Sequence, residues 1–167
     1  MVLAIVLTVA SASLAIAQDR DESVRGNLFL DNGDLVTVSG KNDSLLRFRP
    51  RNNSLVVTKQ SLGVRLKPKG IAYRKSCEKV AIANDHDVVV YDVWSGEVEV
   101  VSDRRFKQIR DVEWDWWCRL LIADAGGESV GCWPRDGAVW IYNSDGSFDR
   151  AGGRHAWANP SLLDMDE

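Results

Sequence analysis

A chain of 167 residues with 21 Lys and Arg against 24 Asp and Glu, net charge −3, has the length of about one domain and enough chain to bury a sizeable core. At 27% charged and 45% hydrophobic residues it has the composition of an ordinary folded protein, which excludes a disordered or fibrous class. No basic stripe stands out, so nucleic acid is not an expected partner.

The first seventeen residues, MVLAIVLTVASASLAIA, contain no charged side chain. Ala15-Ile16-Ala17 has the small-x-small form of a signal-peptidase site, which predicts cleavage between Ala17 and Gln18. The basic n-region is missing, and an uncleaved anchor is the alternative. Seventeen residues is short against the roughly 20 that a span requires. No later segment reads as a membrane span. The expectation is a secreted, extracellular protein with residues 1–17 removed, no span left after cleavage and 18–25 forming a linker.

From Asn27 to Val57 short apolar runs alternate with polar turns. Asn32-Gly33-Asp34 is a tight-turn signal, Val36 to Val38 and Leu45 to Phe48 read as strands, and Pro50-Arg51-Asn52-Asn53 reads as the next turn. Arg47, Arg49 and Arg51 alternate with Phe48 and Pro50 and are expected on a solvated face. Two sequons, Asn42-Asp43-Ser44 and Asn52-Asn53-Ser54, fall in predicted turns and make Asn42 and Asn52 glycosylation candidates in a eukaryotic source.

The next stretches repeat that pattern. Gly70 to Val101 and Asp111 to Phe148 each hold an apolar run, a polar turn and a run ending in Asn84 or Asp124. A third run then ends in Tyr91 or Tyr142, followed by a turn with Gly96 or Gly146. Asn84 and Asp124 are 40 positions apart, the period of a β-propeller blade built from short strands. Val88-Val89-Val90 is continuously apolar, as for a strand buried on both faces. No segment sustains a helical period. The predicted fold class is all-β, a β-propeller-like stack of about three four-stranded antiparallel blades at 26–59, 66–103 and 107–150. Propellers close with roughly four to eight blades, so three imply a fragment or self-association that completes the ring. Residues 151–167 read as a tail or as the start of another blade at Leu162-Leu163.

The run Arg110 to Asp124, RDVEWDWWCRLLIAD, resembles the NHL-type repeat of six-bladed propellers, with Val112 and Trp114 pointing inward. It departs from the pattern in placing Cys118 where Gly is usual, which makes a positive φ less comfortable. Gly70 to Ala72 and Val80 to Asn84 match more loosely. Asp87 to Glu97 resembles a WD-type repeat, with Tyr91-Asp92 where such repeats have Trp-Asp, but no Gly-His pair opens a blade. The resemblance covers about three-quarters of the chain and implies an architecture, not an activity.

In lactonase-like propellers, carboxylates and amides near the channel hold a divalent cation. Asn84 and Asp124, with Asp85 and Asp87 nearby, are candidates for calcium or a similar ion, against the plainer role of capping a turn. His86 between two Asp residues is read as an exposed loop histidine, and there is no nucleophile elbow or phosphate loop. Cys77, Cys118 and Cys132 allow one internal bridge, with the pairing open. All seven tryptophans lie after residue 90. Trp114 and Trp140 fit core strand positions. Trp116 and Trp117 fall in a turn and Trp133 in a long insertion of the third blade, and these three are the candidate binding residues. The resulting expectation is a secreted module, without a cofactor, that recognises a protein or glycan. The alternatives are a propeller hydrolase or lyase with a central divalent cation, and a truncated fragment without function.

Overall fold

The computed structural model describes residues 24–52, 54–126 and 137–151. These form strands β1 (Val24–Phe29), β2 (Leu35–Ser39), β3 (Ser44–Arg51), β4 (Ser54–Ser61), β5 (Gly70–Arg74) and β6 (Lys79–Ala83). They continue with β7 (Asp87–Asp92), β8 (Val98–Ser102), β9 (Ile109–Trp114), β10 (Leu120–Asp124), β11 (Ala138–Tyr142) and β12 (Phe148–Arg150). The fold is all-β. Three four-stranded antiparallel sheets follow chain order, β1 to β4, β5 to β8 and β9 to β12, each with the meander of a propeller blade. Among the described residues no helix is long and apolar enough to cross a membrane. The chain divides into two compact units, Met1–Pro68 and Lys69–Glu167.

In the first unit the Asn32-Gly33-Asp34 turn joins β1 to β2. Gly33 sits at φ +80, a conformation that a side chain disfavours. The turn closes through Leu30 N–H to the Asp34 carbonyl at 2.8 Å, and the Asn32 side-chain oxygen accepts the Asp34 N–H at 3.0 Å. Every residue of β2 is buried, and Phe48 and Leu35 form a small core against Leu46 and Leu55. The third strand runs further than the sequence implied, because Pro50 and Arg51 pair with Leu55 and Ser54 and the turn shifts to Asn52. Pro50 lies past the end of β2, whose last partner in β3 is Phe48, so its missing N–H removes no bond to β2.

Arg47 and Arg49 do not simply face solvent. Both guanidinium groups converge on Asp34, which is 2% exposed; Arg47 Nε is in contact with Oδ2, and Arg49 Nη2 lies 3.0 Å from the same oxygen. Burial pushes the Asp34 carboxyl up, but the hydrogen bonds and charges of Arg49 and Arg47 outweigh it and hold the group below the usual carboxylate range.

In the second unit two sheets pack face to face. The β5–β8 sheet contributes mostly small residues, Ala72, Ala81, Ala83, Val88 and Val90. The β9–β12 sheet contributes large ones, Trp114, Leu120, Ile122 and Trp140. Small against large lets the layers interdigitate without voids. Val88, Val89 and Val90 are all buried, in keeping with their continuous apolar run. At the outer rim Phe106 meets Phe148 edge-on at 5.4 Å, and Tyr142 donates to Glu99 at 2.7 Å. That bond to the carboxylate, helped by burial, pushes the tyrosine hydroxyl up to about 12.

At the opposite edge, where β5 meets β9, the two sheets approach closely. A Cβ on Gly70 would collide with the Asp111 carboxylate and lie 3.4 Å from its Cα. Burial there pushes the Asp111 carboxyl up, opposed by its hydrogen bond from the Val112 N–H. A raised carboxyl favours the fold in its protonated form, so its contribution is complete in acid and is lost as pH rises through its elevated pKa. Asp111→Asn is therefore expected to raise the melting temperature near neutral pH, with the gain disappearing below the ordinary carboxylate range. Paired melting curves across pH test this, and a gain that persists in acid would count against it.

Candidate functional site

Because each sheet is a simple meander, the β5–β6, β7–β8, β9–β10 and β11–β12 turns emerge at one end of the second unit. This end carries three exposed indoles: Trp94 at 78%, Trp116 at 65% and Trp117 at 75% exposure. Leaving three of the largest apolar side chains in water at one edge is the feature that singles this surface out.

Local hydrogen bonds dictate that outward placement. The Asp92 carboxylate accepts the Trp94 N–H at 2.9 Å and the Ser95 N–H at 2.8 Å. The bond from Ser95 is the largest factor holding the Asp92 carboxyl below its usual value. Asp115, itself buried, accepts the Trp117 N–H at 2.9 Å and the Arg119 N–H at 2.8 Å, and pairs with Arg119 Nε at 2.6 Å. The same Asp-x-Trp unit thus occurs in both turns. The carboxylate captures the backbone two residues on and fixes the turn, and the tryptophan is left outside.

Further contacts join the turns into one surface. Cys77 and Cys118 form a disulfide with Cα atoms 5.4 Å apart, tying the β5–β6 turn to the β9–β10 turn. The Ser76 hydroxyl lies 3.7 and 3.8 Å from the two sulfurs. The Val93 N–H donates to the Glu78 carbonyl at 3.0 Å and links the β7–β8 turn to the same site. The Arg74 guanidinium stacks 4.1 Å from the Trp116 ring centre while one of its nitrogens reaches the Trp114 carbonyl at 3.4 Å. Arg119 lies 5.0 Å over Trp117. Glu78 and Cys118 hold φ of +55 and +58, so the cysteine takes the positive-φ position that suits glycine, at a cost of about 1 kcal/mol. An open hollow of about 310 Å³ on the β5–β8 sheet is lined by Lys79, Val90, Asp92, Glu97, Val98 and Glu99.

The other candidates are placed as follows. Asn84 donates to the Asp87 carboxylate at 2.9 Å. Asp124 is buried and accepts backbone N–H groups from Lys107 at 3.0 Å, Gln108 at 2.8 Å and Gly126 at 3.0 Å. Asp124 thus acts as a local backbone cap, and no group of three or more His, Cys, Asp or Glu residues suited to a metal occurs among the described residues. His86 is exposed. Asn42 is exposed in the β2–β3 turn, where it contacts the Ser39 hydroxyl at 3.3 Å, and Asn52 is exposed between β3 and β4. Ala17, Gln18, Cys132 and Trp133 lie outside the described residues. Trp94 was not singled out from the sequence. The signal that identifies it is the Asp two positions before it, shared with Trp117.

No family model matches the chain and no curated protein matches it. Similar solved structures include two extracellular domains of BT4673 from B. thetaiotaomicron. One, described as part of a one component system, is 12% identical with a TM-score of 0.49 over 80% of this chain and 17% of that one. The other, described as part of a hybrid two component system, is 11% identical with a TM-score of 0.45 over 83% of this chain and 23% of that one. The chain therefore spans less than a quarter of the length of either.

Proposed function

We propose that this chain is an exported binding module that engages an extracellular protein or glycan through Trp94, Trp116 and Trp117. The observation that carries the reading is the exposure of three indoles on turns held by buried or hydrogen-bonded aspartates. Tryptophan and arginine are the residues most enriched at binding hot spots, and here Arg74 and Arg119 stack on two of the three rings. The disulfide supports an oxidising, extracytoplasmic address, in line with the apolar leader 1–17 and cleavage between Ala17 and Gln18. In a eukaryotic host, Asn42 and Asn52 are on accessible turns where a glycan would fit. The alternative, a cation-dependent hydrolase, would draw on Asn84 and Asp124, of which Asp124 already accepts backbone N–H groups.

The test is the double substitution Trp116→Ser and Trp117→Ser. Both rings are largely in water, so folding stability is expected to change by no more than ~0.5 kcal/mol. Binding to the partner is expected to weaken by ~2 kcal/mol or more, roughly thirtyfold. A melting curve measured beside a binding titration separates the two. A large loss of stability without a separable binding defect would make these tryptophans structural.

A further inference from the structure

The outer strands of the three sheets are not equally protected. An edge strand offers a row of N–H and C=O groups to any other strand, and short length, a bulge or a proline ordinarily blunts it. β12 has three residues and β8 has five, and β1 carries a bulge between Arg25 and Asn27. β4 has eight, in unbroken register with β3, with no proline and a single lysine. All of its residues except Leu55 are exposed, Val56 and Val57 among them. We propose that two copies of the chain join edge to edge, β4 of one pairing antiparallel with β8 of the next.

Backbone parity identifies the groups that would pair. Just past the end of β4 the Leu62 N–H donates to the Asp43 carbonyl at 3.1 Å. Bonding alternates along an antiparallel ladder. Val56, Thr58 and Gln60 therefore bond to β3, and Leu55, Val57 and Lys59 turn their backbone groups outward. At the start of β8 the Asp92 N–H donates to the Glu97 carbonyl at 3.0 Å. The same alternation turns Glu99 and Val101 toward β7, and Val98 and Val100 outward. Among the described residues no strand pairs with either outward row. A row that carries donors and acceptors together is matched by another strand.

That parity also fixes which side chains meet. When two edges join, outward residues stand opposite outward residues, and residues opposite each other share a face. Whatever the register, Glu97 and Glu99 of one copy then fall on the face of Val56 and Thr58 of the other. This is the arginine face, because Arg47 stands opposite Thr58 and Arg49 opposite Val56, with Arg51 two residues on. Asp34 pairs with Arg47 and Arg49, Arg51 is exposed, and the face stays positive. On the other face Val57 meets Val98 or Val100. The charge of the two segments agrees. Residues 24–68 hold eight Lys and Arg against three Asp and no Glu, whereas residues 69–167 hold 12 against 18. Pairing β4 with β4 would set two arginine faces side by side, and pairing β8 with β8 would do the same to glutamates, so both are disfavoured. The unlike joint is head-to-tail. It leaves one β4 and one β8 open, and further copies can add.

Sedimentation of the exported chain tests this across concentration and salt. The average mass is expected to rise past that of a dimer with concentration, and to fall in about 0.5 M salt, which screens the charges. Val57→Pro and Val100→Pro each remove an outward N–H and leave the bonds within the sheet, a position that an edge strand tolerates. Each variant alone should form dimers at most weakly and nothing larger, with unchanged melting, and a mixture of the two should form a one-to-one dimer. If a proline lowers the melting temperature, Val57→Lys and Val100→Lys replace the pair, and each alone should weaken association by about tenfold. A wild-type chain that stays monomeric up to millimolar concentration overturns the proposal. A discrete dimer that survives Val100→Pro and is lost in Val57→Pro means that β4 pairs with itself, and overturns the assignment of β8. Association untouched by either substitution overturns both strands. Neither strand carries an exposed indole, so these outcomes are separate from the binding-module reading.

Discussion

Replacing Cys77 and Cys118 together by serine is expected to lower the stability of the Lys69–Glu167 unit by about 4 kcal/mol. The bridge closes a loop with a sequence separation of 41. In the chain-entropy account, a closure of that length removes about 4 kcal/mol of freedom from the unfolded chain. Stability here also depends on two sheets staying packed, and the bridge joins one sheet to the other at their first turns. Urea unfolding of the wild type, of the double mutant and of the reduced wild type supplies the test. The mutant and the reduced protein should unfold at the same, lower midpoint. A drop below about 1 kcal/mol would show that packing alone holds the sheets. Binding should suffer as well, because Trp116 and Trp117 lie beside Cys118 and lose the anchor that fixes their turn.

The second large effect belongs to the first unit. Asp34→Ala is expected to cost about 2–3 kcal/mol near neutral pH. Removing one partner of a buried ion pair typically costs about 3–5 kcal/mol. The lower figure applies because Arg49 is 40% exposed and keeps water as an alternative partner. The pH dependence has a defined sign. Asp34 is held below its ordinary value, so its contribution is complete above the unfolded carboxyl pKa of about 3.9. It is lost as pH falls through the lowered folded value. The wild type should therefore lose stability in acid over that window while Asp34→Ala loses less, and the two denaturation midpoints should converge. A constant gap down to strongly acidic pH would mean that Asp34 acts through its shape rather than its charge.

The sequence made the strands legible because burial on a pleated sheet leaves a local mark. Val88-Val89-Val90, the alternation around Val112 and Trp114, and the glycines at 33, 96 and 146 each reflect a conformation decided within a few residues. Those three glycines all sit at positive φ. The arginines of β3 were harder to read. Arg47 and Arg49 look like a solvated stripe until the register places Asp34, thirteen and fifteen residues earlier, against them. The site was partly legible. Trp116 and Trp117 stand in a turn, where adjacent side chains need not split between core and solvent. Trp94 follows a strand and carries no mark of its own until Asp92 is seen to hold its backbone. The partner of Cys118 was half legible: the repeat puts Cys77 and Cys118 in equivalent first turns, but only the stacking of two sheets brings them to a Cα separation of 5.4 Å.

The meander order of the three sheets also bears on how the chain reaches its native state. Each strand pairs with its neighbour in sequence, and no crossover reaches past it. Loop closures are then short, and the entropy lost before each ladder forms is small. Among the described residues each strand's ladder partner is the next strand along the chain, which favours assembly sheet by sheet over a search for remote strand partners. The covalent link between Cys77 and Cys118 belongs to a later stage. Its two cysteines come from different sheets, so the native pairing is in place once those sheets dock.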